Sequence, residues 1–275
     1  MIGLLLALFA AYGLLIGSFL NVVIYRVPNH KSVVSPPSSC PNCAHRIAWY
    51  DNIPVLSWAW LRGHCRNCNS RISARYPIVE AGTSIFFVLV GAFFLPGLLS
   101  ATTALAAWAA VLAIAAFLYL AAISVVLALI DLDVHRLPNA IVVPSYVVGG
   151  VLLGLSGALG GDWSALITAL IAGVVLFAIY LVMALAYPRG MGFGDVKLAG
   201  LLGLFLGFIG WGEVAVGAFA PFVLGGLFAL FLLATKRAGR KSGIPFGPWM
   251  LAGAWVGIFF GDALTRWYLA LFGLA

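Results

Sequence analysis

Residues 105–139 read LAAWAAVLAIAAFLYLAAISVVLALIDLDVHRLPN. No charge interrupts residues 105–130, and then Asp131, Asp133 and Arg136 arrive within six positions. A helix needs about 20 consecutive apolar residues to cross the hydrocarbon layer of a bilayer. A membrane β-barrel would instead show short segments of alternating polarity. The stretch therefore predicts a transmembrane helix with Asp131 at, or just inside, its polar boundary. Pro138 biases Leu137 away from helical geometry, so the chain breaks before the next apolar run.

Seven more runs of this kind lie on either side, at 2–25, 78–99, 141–159, 164–187, 196–209, 214–234 and 246–271. The whole chain is 64% hydrophobic and 8% charged over 275 residues. A soluble domain carries roughly a quarter charged residues, so a water-soluble core is excluded. The expected fold is an all-α polytopic membrane protein of about eight spans. Its organisation reads as a first transmembrane helix (1–25), a polar loop (26–77) and a seven-helix core (78–275).

Charge orients this arrangement. With the N-terminus outside, every Lys and Arg except Arg266 falls in one set of loops, whereas Asp162, Glu213 and Asp262 fall in the other. Cytoplasmic loops carry the excess of Lys and Arg. The net charge of +7 is thus a topology signal. The basic residues are scattered along membrane-flanking loops, which argues against nucleic-acid binding. The first run lacks a basic segment ahead of it, and Arg26 and Lys31 follow it, so it reads as an uncleaved anchor.

The polar loop holds all four cysteines, as Cys40-Pro41-Asn42-Cys43 and Cys65-Arg66-Asn67-Cys68. Two C-x-x-C knuckles about twenty residues apart match a four-thiolate zinc site. Nearby Arg and His residues are expected to favour the thiolates. Two disulfides are the alternative, and the reducing cytoplasmic side disfavours them. His45 and His64 read as exposed loop residues. A closed four-cysteine shell leaves no open position for chemistry, so the expected metal role is structural.

Acidic groups in or beside lipid are costly and mark function by default. Asp131 is one; Asp195, within Gly190-Met191-Gly192-Phe193-Gly194-Asp195-Val196-Lys197, is the other. The glycines permit positive φ and close backbone approach, so a substrate strand fits against the chain beside Asp195. Gly190-Met191-Gly192 is not the start of a nucleotide fingerprint, because no βαβ unit surrounds it. Three roles stay open from these residues alone. The two carboxyls form a catalytic dyad, or serve a proton-coupled transporter, or are structural, Asp131 pairing with Arg136 and Asp195 with Lys197. As a dyad they share one proton, since two carboxyls facing one water do not both ionise cheaply. The ionised one then takes a proton from water while the neutral one hydrogen-bonds the scissile carbonyl. Asp133 faces elsewhere and reads as a solvated boundary charge.

Six motifs in sequence bring a family into view. They are the Gly17–Arg26 stretch GSFLNVVIYR, the paired knuckles, the Arg75–Glu80 stretch RYPIVE, Asp131 with Leu137-Pro138-Asn139, Gly192-Phe193-Gly194-Asp195, and the Ile244–Pro248 stretch IPFGP. In this order they resemble the type IV prepilin peptidases, the prepilin leader peptidase/N-methyltransferases, over nearly the whole chain. The resemblance implies a GxGD-class aspartyl protease of the bacterial inner membrane. It would cut the basic leader from prepilins and pseudopilins of type IV pilus and type II secretion systems, at the cytoplasmic face. It implies that Asp131 and Asp195 are the catalytic pair, with Gly192 and Gly194 in the active-site loop. Cys40, Cys43, Cys65 and Cys68 match the zinc loop of the bifunctional members, which also methylate the new N-terminus with S-adenosylmethionine. A protease-only relative is the nearest alternative. Asn21 and Glu80 read as interhelical hydrogen-bond partners. Pro245, Gly247 and Pro248 read as shaping the entry to the last span.

Overall fold

A computed structural model of the chain describes residues 2–188, 190–235 and 245–273. Among the described residues it has nine α-helices and no strand longer than an isolated bridge. They are α1 (Ile2–Arg26), α2 (Leu56–Trp60), α3 (Arg75–Leu99), α4 (Ala104–Val134), α5 (Asn139–Gly160), α6 (Trp163–Ala186), α7 (Phe193–Ile209), α8 (Trp211–Ala234) and α9 (Gly247–Ala270). Each of the eight expected apolar runs is a long helix, and the short α2 is an addition within the polar loop. Six of them, α1, α3, α4, α5, α6 and α8, are long and apolar enough to cross a membrane.

Two boundaries move for physical reasons. Helix α4 runs on through Asp131 to Val134, because nothing breaks it before Pro138; His135 then takes a left-handed C-cap conformation at φ 52°. Pro138 becomes the N-cap of α5. Helix α3 starts at Arg75 rather than 78, since Pro77 stands in its first turn, where its missing N–H costs nothing.

Lipid offers no hydrophobic drive for one apolar helix to seek another, so close contact through small residues does the joining. A Cβ on Gly17 of α1 would stand 2.8 Å from the Glu80 Cα of α3. A Cβ on Gly203 of α7 would stand 2.6 Å from the Ala172 carbonyl oxygen of α6. These approaches leave α7 buried along most of its length, from Val196 to Gly207. At 17 residues it rises about 26 Å, less than the hydrocarbon thickness, and its apolar residues face other helices. Phe117, fully buried on α4, stacks on Phe94 at 4.3 Å and meets Phe205 of α7 edge-on at 5.6 Å. Buried polar groups on these helices are satisfied locally. Trp255 donates to the Ser124 hydroxyl (3.0 Å), and Ser124 donates to the Leu120 carbonyl (2.7 Å).

The long helices alternate in direction, and cross-links tie together the ends that share one face. Asn21 near the end of α1 donates to the Tyr76 carbonyl at the start of α3 (3.2 Å). Arg75 of α3 pairs with Asp133 at the end of α4. Lys197 of α7 donates to Asn139 at the start of α5 (2.8 Å). The polar loop, the end of α4 and the first turns of α5, α7 and α9 therefore gather at one end of the bundle.

Candidate functional site

Asp131 is buried near the end of α4, and its Oδ2 accepts the Gly247 N–H from the first turn of α9 (3.1 Å). Half-buried Asp195 lies in the first turn of α7, where its Oδ2 accepts the Gly192 N–H (3.0 Å). Both carboxyls thus meet the N-terminus of a helix, where unpaired amides and the helix dipole favour negative charge. Among the described residues, each has one oxygen held by an amide and no hydrogen-bond partner on the other.

Leu137 joins the two halves. A Cβ on Gly194, next to Asp195, would stand 3.1 Å from the Leu137 Cβ. A Cβ on Gly247 would stand 3.3 Å from Leu137 Cδ2 and 2.6 Å from Asp131 Oδ2. One leucine side chain therefore packs between the backbones that present the carboxyls. Gly192 and Gly194 do this without positive φ: Gly192 is extended, at φ −80°. Gly194 contributes the absence of a side chain, since a Cβ there would crowd Leu137, whereas a Cβ on Gly192 would meet only ordinary contacts at 3.6 Å and beyond. The close approach expected from sequence holds at Gly194, and the positive φ does not.

The expected structural pairings do not form among the described residues. Lys197 bonds Asn139, its ammonium 4.8 Å from the Phe193 ring centre. The ion pairs are Arg66–Asp51, Arg75–Asp133 and Arg266–Asp262. Asp133 is therefore held by Arg75 through two hydrogen bonds at 2.6 and 3.0 Å, away from the Asp131 position.

The four cysteines converge. Their sulfurs all lie within 4.8 Å of one another, and Cys40 and Cys68 are 3.8 Å apart. Tetrahedral zinc with Zn–S near 2.3 Å sets its sulfurs about 3.8 Å apart. The cluster is thus of the right size and chemistry for a metal. No histidine joins it; His64 Nδ1 instead lies 2.8 Å from the Arg62 carbonyl.

The two knuckles share one conformation. The Cys40 N–H donates to the His45 carbonyl and the Ala44 N–H to the Cys40 carbonyl; Cys65, Ser70 and Asn69 repeat the pattern, all four bonds at 2.9–3.0 Å. Ala44 and Asn69 sit at matching positions with φ of 57° and 56°. Isolated bridges Ser39–Arg46 and His64–Arg71 close each knuckle. The sequence signal was the shared C-x-N-C spelling.

The thiols differ in acidity. The Ser70 hydroxyl and then its backbone pull Cys68 down to about 6. Backbone amides at Cys43 and Asn42 lower Cys40. Cys43 is lowered by its backbone bond at His45, but desolvation and the three neighbouring thiols together carry it up to about 11. Amides and a hydroxyl, not the Arg and His residues expected from sequence, favour the thiolates.

Glu80, buried on α3, accepts the Val55 N–H (2.7 Å) at the start of α2, fastening the loop to the bundle. Asn21 is an interhelical partner as expected, and Glu80 adds a bond from helix to loop. The donor role of Gly247 was missed. Its signal was a glycine at the start of a helix with a buried acid still unpartnered elsewhere in the chain.

A bundle of long apolar helices, with two acids near one end and a four-cysteine loop after its first helix, defines a class: all-helical polytopic membrane proteins. Residues 11–94 match the Bacterial Peptidase A24 N-terminal domain, and residues 118–230 match the Type IV leader peptidase family. Proteins named prepilin leader peptidase/N-methyltransferase are similar along most of the chain. That of Aeromonas salmonicida is 34% identical over 94% of this chain and 92% of its own length. The Aeromonas hydrophila protein is 35% identical over 95% and 92%, and the Myxococcus xanthus protein 39% identical over 84% and 64%. No solved structure matches the chain. The chain belongs to the type IV leader peptidase family.

Proposed function

We propose that this protein cleaves the basic leader from type IV prepilins and pseudopilins at the cytoplasmic face of a bacterial inner membrane. In this reading Asp131 and Asp195 are the catalytic pair, and the protein then methylates the new N-terminus with S-adenosylmethionine. The observation that carries the reading is the convergence of two acids, 64 positions apart in sequence, on helix N-termini that share Leu137. The placement of every Lys and Arg but one on the same side supports the cytoplasmic orientation.

The chemistry follows from the held geometry. One carboxyl keeps a proton because two charges facing one water are mutually unfavourable. The ionised carboxyl takes a proton from the water, whose oxygen adds to the scissile carbonyl carbon. The neutral carboxyl hydrogen-bonds the carbonyl oxygen as negative charge develops on it. A proton then passes to the leaving amine and the C–N bond breaks. The substrate's apolar helix enters sideways from lipid while its basic leader stays in water.

Cys40, Cys43, Cys65 and Cys68 would hold zinc, whose chemistry here is to cross-link a segment with too few apolar residues to make its own core. Among the described residues, the methyl donor finds no such fit. A cavity of about 310 Å³ opens beside α1, lined by Leu15, Phe19, Val22 and Arg26. These form the stripe opposite the buried Gly13, Gly17, Leu20 and Ile24. Leu20 and Ile24 pack with Ile130, the neighbour of Asp131, so α1 stands between that cavity and the acids. We assign it no transfer step.

The test is cleavage of a prepilin by the purified full-length protein in lipid nanodiscs with a methyl-labelled donor. Asp131→Asn and Asp195→Asn should each lower cleavage by about 10²- to 10⁴-fold, and Asp133→Asn should keep substantial activity. An inactive Asp133 variant beside an active Asp131 variant would overturn the assignment. Cleavage without label transfer would identify a protease-only relative.

A further inference from the structure

The loop between α1 and α3 turns large apolar side chains outward. Leu56 and Trp60, one helical turn apart on the same face of α2, are 67% and 84% exposed, and Trp49 is 81% exposed. Ser57 and Trp58, between them, face inward: Ser57 bonds the Tyr50 carbonyl and Trp58 the Ile72 carbonyl. The short helix is therefore amphipathic with its apolar side away from the protein.

The depth of α2 is fixed by the Val55–Glu80 hydrogen bond. Glu80 lies five residues into α3, about 7.5 Å along the axis from Arg75. At 25 residues α3 rises about 37 Å, which exceeds a hydrocarbon core of about 30 Å by a few ångströms at each end. Glu80, and with it the start of α2, lies at the hydrocarbon boundary rather than in bulk water.

Charge points the same way. Residues 27–74 carry Lys31, Arg46, Arg62, Arg66 and Arg71 against a single acid, Asp51, which Arg66 neutralises. Arg46, Arg62 and Arg71 are exposed and outside the ion pairs found among the described residues. Outward tryptophans flanked by cations at this depth suit the headgroup layer of a bilayer, where indole rings gather and anionic lipids attract basic segments.

We propose that α2 and the turn at Trp49 lie in the headgroup layer of the leaflet that α3 enters, with Trp49, Leu56 and Trp60 against acyl chains and Arg46, Arg62 and Arg71 against anionic phosphates. This rests on the membrane reading of the bundle and is independent of the peptidase reading.

The experiment places the full-length protein in nanodiscs of phosphatidylcholine with phosphatidylglycerol and compares it with the Trp49→Phe/Trp60→Phe double variant. Emission is quenched either by lipid brominated near the headgroup end of the chain or by aqueous iodide. The variant removes two of nine tryptophans, roughly a fifth of the emitters. The bromine-quenched part of the emission should fall by about that share, with the iodide-quenched part unchanged. A bromine-quenched part equal in variant and wild type overturns the proposal, whatever iodide shows. Loss confined to the iodide-quenched part would mark a water-facing patch suited to a protein partner. The bromine-quenched share of the two tryptophans should also shrink when phosphatidylglycerol is replaced by phosphatidylcholine. An equal share in both lipids would overturn the role given to the arginines.

Discussion

Residues 27–74 are shaped by backbone hydrogen bonds around four converging sulfurs, whereas the bundle they interrupt is held by aromatic and glycine contacts between helices. In that loop only Cys40, Pro54, Ser57 and Gly63 are buried. In the bundle, Phe87, Phe117 and Phe205 are enclosed completely or nearly so. The bundle therefore specifies itself by packing, and the loop, with so few buried side chains, would depend on the metal proposed for its four cysteines. The contrast teaches where each region is vulnerable: the loop through its ligands, the bundle through its close approaches.

The strongest test of that contrast is Cys40→Ser with Cys43→Ser. About one zinc per chain should be lost, since structural zinc contributes roughly 10–16 kcal/mol of apparent binding energy. Proteolysis in the loop should accelerate while the helical circular dichroism stays unchanged. Zinc retained in this variant, or absent from the unmodified protein, would break the comparison.

Gly247→Ala probes the bundle in the same way. Its Cβ would arrive 2.6 Å from Asp131 Oδ2, so carboxyl or helix must move, at a cost of about 1–3 kcal/mol. Prepilin cleavage should fall while zinc content does not. Glu80 tests the joint between the regions. Glu80→Ala leaves the Val55 N–H without its acceptor, a penalty of about 1–3 kcal/mol, and proteolysis of the loop should quicken. Glu80→Gln keeps an acceptor oxygen and should recover most of the protection.

The smallest effect is expected far from both regions. Asp162 caps α6 by accepting the Ala165 N–H (3.0 Å), and Asp162→Ala should cost about 1 kcal/mol in thermal or denaturant unfolding. The Ser164 hydroxyl, and then that N–H, hold its carboxyl below the ordinary 3.8. Its stabilisation is therefore present above pH 3.8 and fades as pH falls through the lowered native value. The difference between wild type and variant should be constant around neutrality and shrink in acid.

Continuous apolar runs made the eight long helices legible, and Pro138 marked the break after α4. Asp131 and Asp195 were legible as expensive charges in apolar surroundings, and the cysteines by spacing. What pairs with those groups was not. The Gly247–Asp131 contact spans 116 positions, and local sequence carries no record of which amide meets which acid. The glycines before Asp195 suggested positive φ because composition cannot separate backbone freedom from close approach. Leu137 read as the residue before a proline and as part of a motif, with nothing to show that it fills the space between the two carboxyl-bearing backbones. Helix α2 was hidden because five residues show too little periodicity to distinguish a helix from a turn.

Asn21 donates to the Tyr76 carbonyl, so the polypeptide leaves α1 and re-enters α3 at almost the same point. Whatever lies between is a detour whose two gateposts already touch. Lengthening, shortening or removing such a detour alters the entropy of ring closure only slowly with length. The α1–α3 pair is locked independently by Gly13 and Gly17 against Ser84 and Glu80. A chain rejoined across the cysteine cassette by a few residues is accordingly expected to assemble the same hairpin, at the cost of the Val55–Glu80 bond.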